Sequence, residues 1–274
     1  MSVELLINVT PSETRVAQIE NGMLQELHLE RQSTTGIVGN IYLGKVSRVL
    51  PGMQAAFVDI GMEKAAFLHA SDIITYDDEN DQITPHSSNT RDIIELVREG
   101  QKIIVQVVKD PLGTKGARLT TDITLPSRYL VFMPDAKHVG VSQRIENEQE
   151  RRRLKGIVEH HYEEGQGGFI VRTAAEGANA DELAQDAVFL KKLWQKIIKK
   201  KKKTRNQAVL YEDLSLAFRI IRDFIANELE RVRIDSKLMF GELTAFTDEF
   251  SPDITKKLEY YPGERPIFDM FDVE

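Results

Sequence analysis

Two phenylalanines are the residues of this sequence with the clearest chemical potential. Phe57 and Phe67 lie ten residues apart on two neighbouring predicted strands, with small residues before each of them. Both rings could therefore stand on one exposed face, where unpaired nucleic-acid bases stack with about 1–3 kcal/mol per base. Taken alone, the spacing favours the alternative that both rings belong to a core.

A glycine-rich basic loop nearby favours the exposed arrangement instead. It spans residues 110–118, where glycines would let the backbone approach a phosphate and where Lys115 and Arg118 supply positive charge. Lys45 and Arg48, on another predicted strand, add to that charge. Stacking rings beside cationic side chains are typical of a surface that binds single-stranded nucleic acid.

A small barrel is the element that must position these residues. Short β-rich segments separated by glycines run from residue 36 to about residue 121, and about five strands at this spacing predict a closed barrel. A polar stretch at 76–89 is expected to be a solvated loop. Before the barrel, strands at 3–9, 14–19 and 23–29 predict a meander with its second turn at Asn21-Gly22.

Strands and helices mix after the barrel. Residues 130–133 and 168–173 predict strands, and the charged stretch at 146–159 predicts an exposed helix. Asn179, with Glu182 three residues later, predicts the capped start of a long helix. Apolar residues at a period of 3.5 to 3.6 predict a second helix over 210–232, and a short third helix is expected from Leu238.

Composition limits the class of protein. The 274 residues carry a net charge of −7 and no cysteine, which excludes disulfides and Cys-ligated zinc within them and argues against a non-specific nucleic-acid coat. Positive charge is concentrated in one stretch, which comprises Lys191, Lys192, Lys196, the lysines at 199–203 and Arg205. We favour a solvated helix face as the interpretation of this stretch over a contact with RNA. We expect a cytoplasmic protein.

Ordered motifs in the barrel region resemble a known RNA-binding fold. They are Gly44 to Val49, Ala56 to Gly61, and Gly100-Gln101 before a valine-rich strand. Together they resemble the ribosomal-protein S1-type domain, a five-stranded OB-fold barrel. The resemblance implies single-stranded RNA as the partner of this barrel.

The whole chain resembles the bacterial ribonuclease E/G family, nearer to its G branch than to its E branch. The resemblance rests on the meander at 4–8, the inserted barrel, the strand at 168–174 and the segment at 262–268. It implies an α+β fold of several subdomains: an RNase H-like subdomain at 1–36 and 218–274, an S1 domain at 37–121 and a 5′-sensor at 122–217. The apolar end of the chain indicates that the sequence stops within a longer protein.

Site residues follow from the same resemblance. Phe57, Phe67 and Lys115 match residues that hold substrate RNA. Arg172 and Thr173 match a pocket for a 5′-monophosphate, and Val131 matches an apolar contact to the terminal nucleotide. An Arg fork and an adjacent hydroxyl suit a phosphate, whereas an Arg-Thr pair by itself is more often an ordinary surface pair. Gln143 stands where the E branch has a basic residue, which leaves open whether Arg144 contacts phosphate.

The resemblance places the chemistry outside these residues. The family uses Mg²⁺ for endoribonucleolytic hydrolysis in rRNA maturation and mRNA turnover, with aspartates and zinc-linking cysteines downstream, so we expect this chain alone to be inactive. The longer protein is expected to form a homodimer or tetramer. Two alternatives stay open: a non-catalytic S1-type RNA-binding adaptor, and a fragment that mainly scaffolds oligomers.

Overall fold

The computed structural model describes residues 3–74, 91–163, 165–224 and 229–273, which divide into two compact units. One unit comprises residues 1–35 and 214–274, and the other comprises residues 36–213. The predicted loop at 76–89 lies outside the described residues. Among the described helices, none is long and apolar enough to cross a bilayer.

The first unit is built on a mixed five-stranded sheet with helices packed on it. Its elements, numbered in chain order, are β1 (Val3–Val9), β2 (Glu13–Glu20), β3 (Met23–Arg31), α4 (Leu216–Asp223), β14 (Leu229–Ile234), α5 (Lys237–Phe250), α6 (Pro252–Thr255), β15 (Leu258–Tyr260) and α7 (Ile267–Met270). The strand order is β15-β14-β1-β2-β3, with β14 parallel to both β1 and β15. The strands of the predicted meander are confirmed. Asn21 and Gly22 both have positive φ, 50° and 79°, as a tight hairpin turn requires.

Side chains along these strands point alternately to the two faces of the sheet, and both faces are buried. Leu5, Ile7 and Val16 pack against the helices α4, α5 and α6. Leu6 and Ala17, on the opposite face, pack against Ile267 and Phe268 of α7, and similar residues complete each cluster. A central strand buried on both faces reads as a continuous apolar run, which is what β1 shows.

The predicted helix over 210–232 is wrong. The structure has a strand at β13 (Ala208–Tyr211), the short helix α4, and then the strand β14; residues 225–228 lie outside the described part of the chain. Two charged residues separate Leu229 from Val232, a spacing of three that fits a helix; in the structure a register irregularity beside Val3 and Glu4 lets Leu229, Val232 and Ile234 of the strand join one buried cluster. Pairing with β1 across the sheet settles the outcome.

The second unit contains the expected barrel. Its first elements are β4 (Ile41–Leu50), β5 (Ala55–Asp59), β6 (Ala66–His69), α1 (Ile93–Leu96), β7 (Lys102–Lys109) and β8 (Arg118–Thr120). Five strands in the order β4-β5-β6-β8-β7 close because β7 pairs back onto β4. Buried Val, Leu and Ile side chains fill the interior. The prediction of an α+β chain with an OB-type barrel is confirmed.

A smaller four-stranded sheet follows the barrel. It comprises β9 (Leu125–Pro126), β10 (Leu130–Met133), β11 (Val139–Val141) and β12 (Gly168–Val171), with the helices α2 (Glu148–Glu159) and α3 (Ala180–Lys203). Phe132 and Phe169 are buried between this sheet and α3, and Trp194 lies 6.5 Å from the Phe132 ring. The capping box that begins α3 is confirmed, since Asn179 and Glu182 exchange hydrogen bonds of 2.9 and 2.8 Å.

Candidate functional site

The outer face of the barrel brings Phe57 and Phe67 together. They are direct partners across the β5–β6 pair, and their ring centroids lie 6.3 Å apart with the planes at 69°. Both rings are half-buried, whereas the flanking Val58, Ala66 and Leu68 fill the barrel interior. The two phenylalanines are therefore not core residues, and their partly exposed faces can stack on bases.

His69, which was not among the candidate residues, extends this pair into a strip of three rings. It follows Phe67 by two positions on β6, so that both side chains stand on the same side of the strand, 6.4 Å apart between ring centroids. Its Nδ1 accepts a 3.1 Å hydrogen bond from the Ser71 backbone N–H, which fixes the ring. The alternation of exposed and buried positions along β6 was the signal available. We call Phe57, Phe67 and His69 the aromatic strip.

The loop that carries Lys115 is joined directly to this strip. Leu112 and Lys115 exchange backbone hydrogen bonds of 3.1 and 2.9 Å around a tight turn, in which Gly113 has a φ of 56°. Two residues later, the Ala117 carbonyl accepts a 2.7 Å hydrogen bond from the Phe67 N–H. The exposed Lys115 is thereby carried on a structured loop that is hydrogen-bonded to β6.

Two residues of this loop have contacts that the sequence pattern did not indicate. Gly116 is required for packing, because a Cβ atom there would clash with the Ala65 carbonyl oxygen. Arg118 is engaged by Asp72 through hydrogen bonds of 2.9 and 3.1 Å. That hydrogen bonding, followed by the charge of the carboxylate, raises the pKa of Arg118. Asp72 lies 46 residues earlier in the chain, so no local pattern indicated this pair.

A second candidate site lies on the outer face of the small sheet. Val131 on β10 pairs with Ile170 on β12, and both are half-buried on the face opposite to the Phe132 and Phe169 core. Arg172 comes two residues after Ile170, just beyond β12, and Thr173 begins a 3₁₀ turn; both are exposed. The strand pairing thus brings the apolar pair and the Arg-Thr segment to the same small sheet.

The Arg172 guanidinium is anchored by the main chain. Its Nη1 donates hydrogen bonds to the carbonyl oxygens of Ser127 and Arg128. The Arg172 N–H also donates to the Tyr129 carbonyl at 2.8 Å, continuing the β10–β12 ladder. No carboxylate partner is recorded for Arg172 within the described residues. An anchored guanidinium without a counter-ion is prepared to bind an anion through its remaining N–H groups.

A buried carboxylate, which was also not predicted from the sequence, holds the segment that anchors Arg172. Asp186 of α3 accepts hydrogen bonds from the Ser127 hydroxyl at 2.5 Å and from the N–H groups of Tyr129 and Leu130, each at 2.9 Å. Both Asp186 and Ser127 are buried. The position of Asp186 on the buried face of the amphipathic helix α3 was the only available signal. We call Ser127, Tyr129, Leu130 and Asp186 the carboxylate cradle.

Tyr129 and Glu182 tie the cradle to the start of α3. The Tyr129 hydroxyl donates a 2.9 Å hydrogen bond to Glu182, which also closes the capping box. Desolvation and then this hydrogen bond raise the pKa of Tyr129 to about 12. The phenol is therefore neutral at physiological pH, and it remains a hydrogen-bond donor to the carboxylate.

Arg144 emerges from the same end of the sheet as Arg172. It lies in the turn after β11, where the Ser142 N–H donates a 2.8 Å hydrogen bond to the Val171 carbonyl. Because β11 and β12 are parallel, the segments that follow them leave the sheet at the same end. Arg144 is exposed, and no ion pair is recorded for it among the described residues.

The described residues offer no ligand set for a metal. No group of three His, Asp or Glu side chains comes together in the parts of the chain that the structure describes. The sequence also has no cysteine, so a cysteine-linked zinc cannot lie within these residues. Within the described ranges, no donor set fits the Mg²⁺ that the resemblance implies.

Comparison with known proteins matches two regions of the chain to family models. Residues 37–121 match the S1 RNA binding domain, and residues 124–274 match the ribonuclease E/G family. The chain is 62% identical to ribonuclease G of Escherichia coli (strain K12) and 61% identical to ribonuclease G of Haemophilus influenzae, over 100% of its length and over 56% and 55% of theirs. It is 35% identical to ribonuclease E of Buchnera aphidicola over 98% of its length and 28% of the relative. The chain thus spans about half the length of the ribonuclease G relatives.

Proposed function

The chain belongs to the ribonuclease E/G family, and from that premise we propose that it is the RNA-binding and 5′-monophosphate-sensing part of a single-strand-specific endoribonuclease. In this proposal its subdomains are RNase H-like (1–36 and 218–274), S1 (37–121) and 5′-sensor (122–217). The whole protein acts in the cytoplasm as a dimer or tetramer, in rRNA maturation and mRNA decay. Its Mg²⁺-dependent hydrolysis is carried by residues outside this chain.

The proposal divides RNA recognition between the two sites. The aromatic strip stacks unpaired bases without reading their sequence, because every base has a π-face. Lys115, on the loop joined to Phe67, supplies a positive charge to the adjoining phosphate. A duplex does not present its base faces for stacking in this way, so the strip selects single-stranded RNA.

The second site recognises the 5′ end. Arg172 binds phosphate oxygens with the N–H groups that its main-chain anchor leaves available, and the Thr173 hydroxyl donates to a further oxygen. Val131 provides an apolar contact for the terminal nucleotide. The observation that carries this assignment is the exposed Arg172 guanidinium, which is held by two carbonyl oxygens and has no recorded carboxylate partner in the described residues.

Fluorescence anisotropy tests the proposal with two RNAs of one sequence, carrying either a 5′-monophosphate or a 5′-hydroxyl. We expect tighter binding of the monophosphate form, and we expect Arg172→Ala to abolish this preference without weakening the binding of the hydroxyl form. Arg152→Ala, at an exposed position of α2, is the matched control for the loss of one positive charge. An unchanged preference in Arg172→Ala would remove Arg172 from the site.

Phe57→Ala tests the barrel separately. It should weaken the binding of both RNAs equally, by about 1–3 kcal/mol, which corresponds to a loss of roughly 5- to 150-fold in affinity. Thermal melting of the variant checks that the barrel is intact. Unaltered binding in a folded variant would show that the strip does not stack RNA.

A further inference from the structure

The end of helix α3 carries the densest positive charge described in the chain. All five lysines at 199–203 are exposed, and the structure records no ion pair for them among its described residues. Lys191, earlier on the helix, is by contrast held 3.0 Å from Glu163. Positive charge is favoured at the C-terminal end of a helix, but the dipole acts only within the last turn.

The chain after α3 attaches this helix end to the barrel. The strand β13 adds to β4, with Ala208 paired to Leu43. Just before this strand, the Gln207 side chain donates a 3.0 Å hydrogen bond to Asp59 at the end of β5. The Lys102 ammonium, at the start of β7, donates a 2.5 Å hydrogen bond to the Arg205 carbonyl. The position of the lysine run is therefore fixed by contacts with barrel residues.

The barrel contributes charge of the same sign at this place. Lys45 on β4 and Lys102 on β7 are direct partners in an antiparallel pair, and both are exposed. Like charges placed directly opposite each other destabilise a sheet, and the helix dipole does not account for this pair. Nearby Asp59 is the paired residue on the other side of Lys45, and it is engaged by the backbone N–H of Gly61 as well as by Gln207. We call Lys45, Lys102, the lysines at 199–203 and Arg205 the lysine surface.

The strand register connects the lysine surface with the aromatic strip. Phe67 pairs with Phe57, Asp59 lies two residues after Phe57 on the same side of β5, and Lys45 pairs with Asp59. The path from Phe67 on β6 to Lys102 on β7 thus crosses three strand spacings, about 14 Å, and runs two residues along β5, about 7 Å. A strand of nucleic acid that leaves the strip along this path reaches the lysines.

We propose that the lysine surface binds the phosphodiester backbone of single-stranded RNA whose bases are stacked on the aromatic strip. The inference rests on the proposed function, since it extends the same RNA site. An RNA backbone is favoured over an acidic protein because the surface continues from rings that suit bases and carries cations on both α3 and the barrel, for which no ion pair is recorded among the described residues. Its contribution is electrostatic and independent of sequence.

Salt-dependent anisotropy tests the proposal on two 5′-hydroxyl RNAs, of about 4 and about 12 nucleotides, within the range of OB-fold site sizes. The test variant is Lys200→Gln/Lys202→Gln/Lys203→Gln. The control variant is Lys155→Gln/Lys237→Gln/Lys256→Gln, which changes the net charge equally at exposed positions elsewhere.

For the longer RNA, the slope of log K against log salt should fall in magnitude by about 2 in the test variant, since each phosphate contact on a single strand contributes about 0.7. That change corresponds to roughly 100-fold weaker binding near 0.1 M salt. The shorter RNA, which occupies only the strip, should bind as it does to the wild type. Lys45→Gln alone should lower the slope for the longer RNA by about 0.7.

The outcomes separate this inference from the proposed function. If Phe57→Ala weakens RNA binding but the test variant behaves like the control variant, the lysine surface does not bind RNA and the proposed function stands. If the wild type binds neither RNA, both fail. A test variant that binds the longer RNA normally but loses binding of polyglutamate would also overturn the inference, by assigning the surface to an acidic protein.

Discussion

Removing the buried carboxylate of the cradle should destabilise the unit that contains the second site. In Asp186→Ala, the Ser127 hydroxyl and the N–H groups of Tyr129 and Leu130 lose an acceptor that lies within 2.9 Å of each donor. Three hydrogen bonds to a charged group, at about 1.5 kcal/mol each, amount to about 4.5 kcal/mol. The higher helix propensity of Ala offsets about 0.6 kcal/mol of this loss. We expect a net loss of about 4 kcal/mol.

Urea denaturation followed by tryptophan fluorescence measures this loss at the right place. Trp194 is the only tryptophan of the chain and packs on Phe132 beside the cradle. Asp186→Asn is the isosteric control. Its amide oxygen can still accept from both N–H groups, and its NH₂ group faces a Ser127 hydroxyl that can accept, so we expect a loss of only about 1–2 kcal/mol. Asp181→Ala, in the exposed first turn of the same helix, should cost less than about 1 kcal/mol.

The same variant should also affect binding. The cradle holds the carbonyl groups that anchor Arg172, so folded Asp186→Ala should lose part of the preference for 5′-monophosphate RNA, while Asp186→Asn should keep it. A loss below about 1 kcal/mol in Asp186→Ala, or equal losses in the Ala and Asn variants, would refute the reasoning from hydrogen bonds.

Three further predictions concern packing and pH. Gly116→Ala should destabilise the barrel by about 1–3 kcal/mol, because the added Cβ clashes with the Ala65 carbonyl oxygen. Thermal melting measures this loss. In the control variant Gly52→Ala the added Cβ meets nothing within 4 Å, so its melting curve should stay near that of the wild type. Phe268→Ala should cost about 3–5 kcal/mol of unfolding free energy in the first unit, since the ring is buried against its sheet; a smaller loss would mean that α7 is dispensable. Hydrogen bonds from Arg153 and from a backbone N–H lower the pKa of Glu150 to about 2. The stability that this carboxylate contributes is therefore present above its ordinary pKa of 4.5 and is lost as the pH falls towards 2. Acid titration should destabilise the wild type more steeply than Glu150→Gln between these two pH values. Parallel titration curves would contradict the prediction.

Local sequence signals determined much of the fold. The Asn21-Gly22 turn tolerates positive φ at both positions, and the Asn179 cap is satisfied by a residue three positions away. Each of these features depends on neighbours in the chain, so its physical cause is readable from a short window. The placement of Phe57 and Phe67 on one strand pair also follows from such local features, since alternation along two adjacent strands decides which side chains leave the barrel interior.

Tertiary contacts decided what the local pattern left open. The apolar period at 229–234 fits both a helix and a strand, and pairing with β1, more than 220 residues earlier, selects the strand. Arg118 was an available cation in the sequence, and Asp72, 46 residues away, engages it in the fold. Such partners are brought together by the chain path, which no short window of sequence contains.

The candidate sites show the same division between local sequence signals and tertiary contacts. The sequence by itself determined the residue types that suit bases and phosphates, Phe57, Phe67, Lys115, Arg172 and Thr173, because stacking and charge are properties of the side chains. Only the tertiary structure decided what holds them, since the Asp186 carboxylate reaches Ser127 across 59 residues and the Lys102 ammonium reaches the Arg205 carbonyl across 103. A side chain carries its chemistry with it, whereas its orientation and its partners depend on distant segments that meet only when the chain folds.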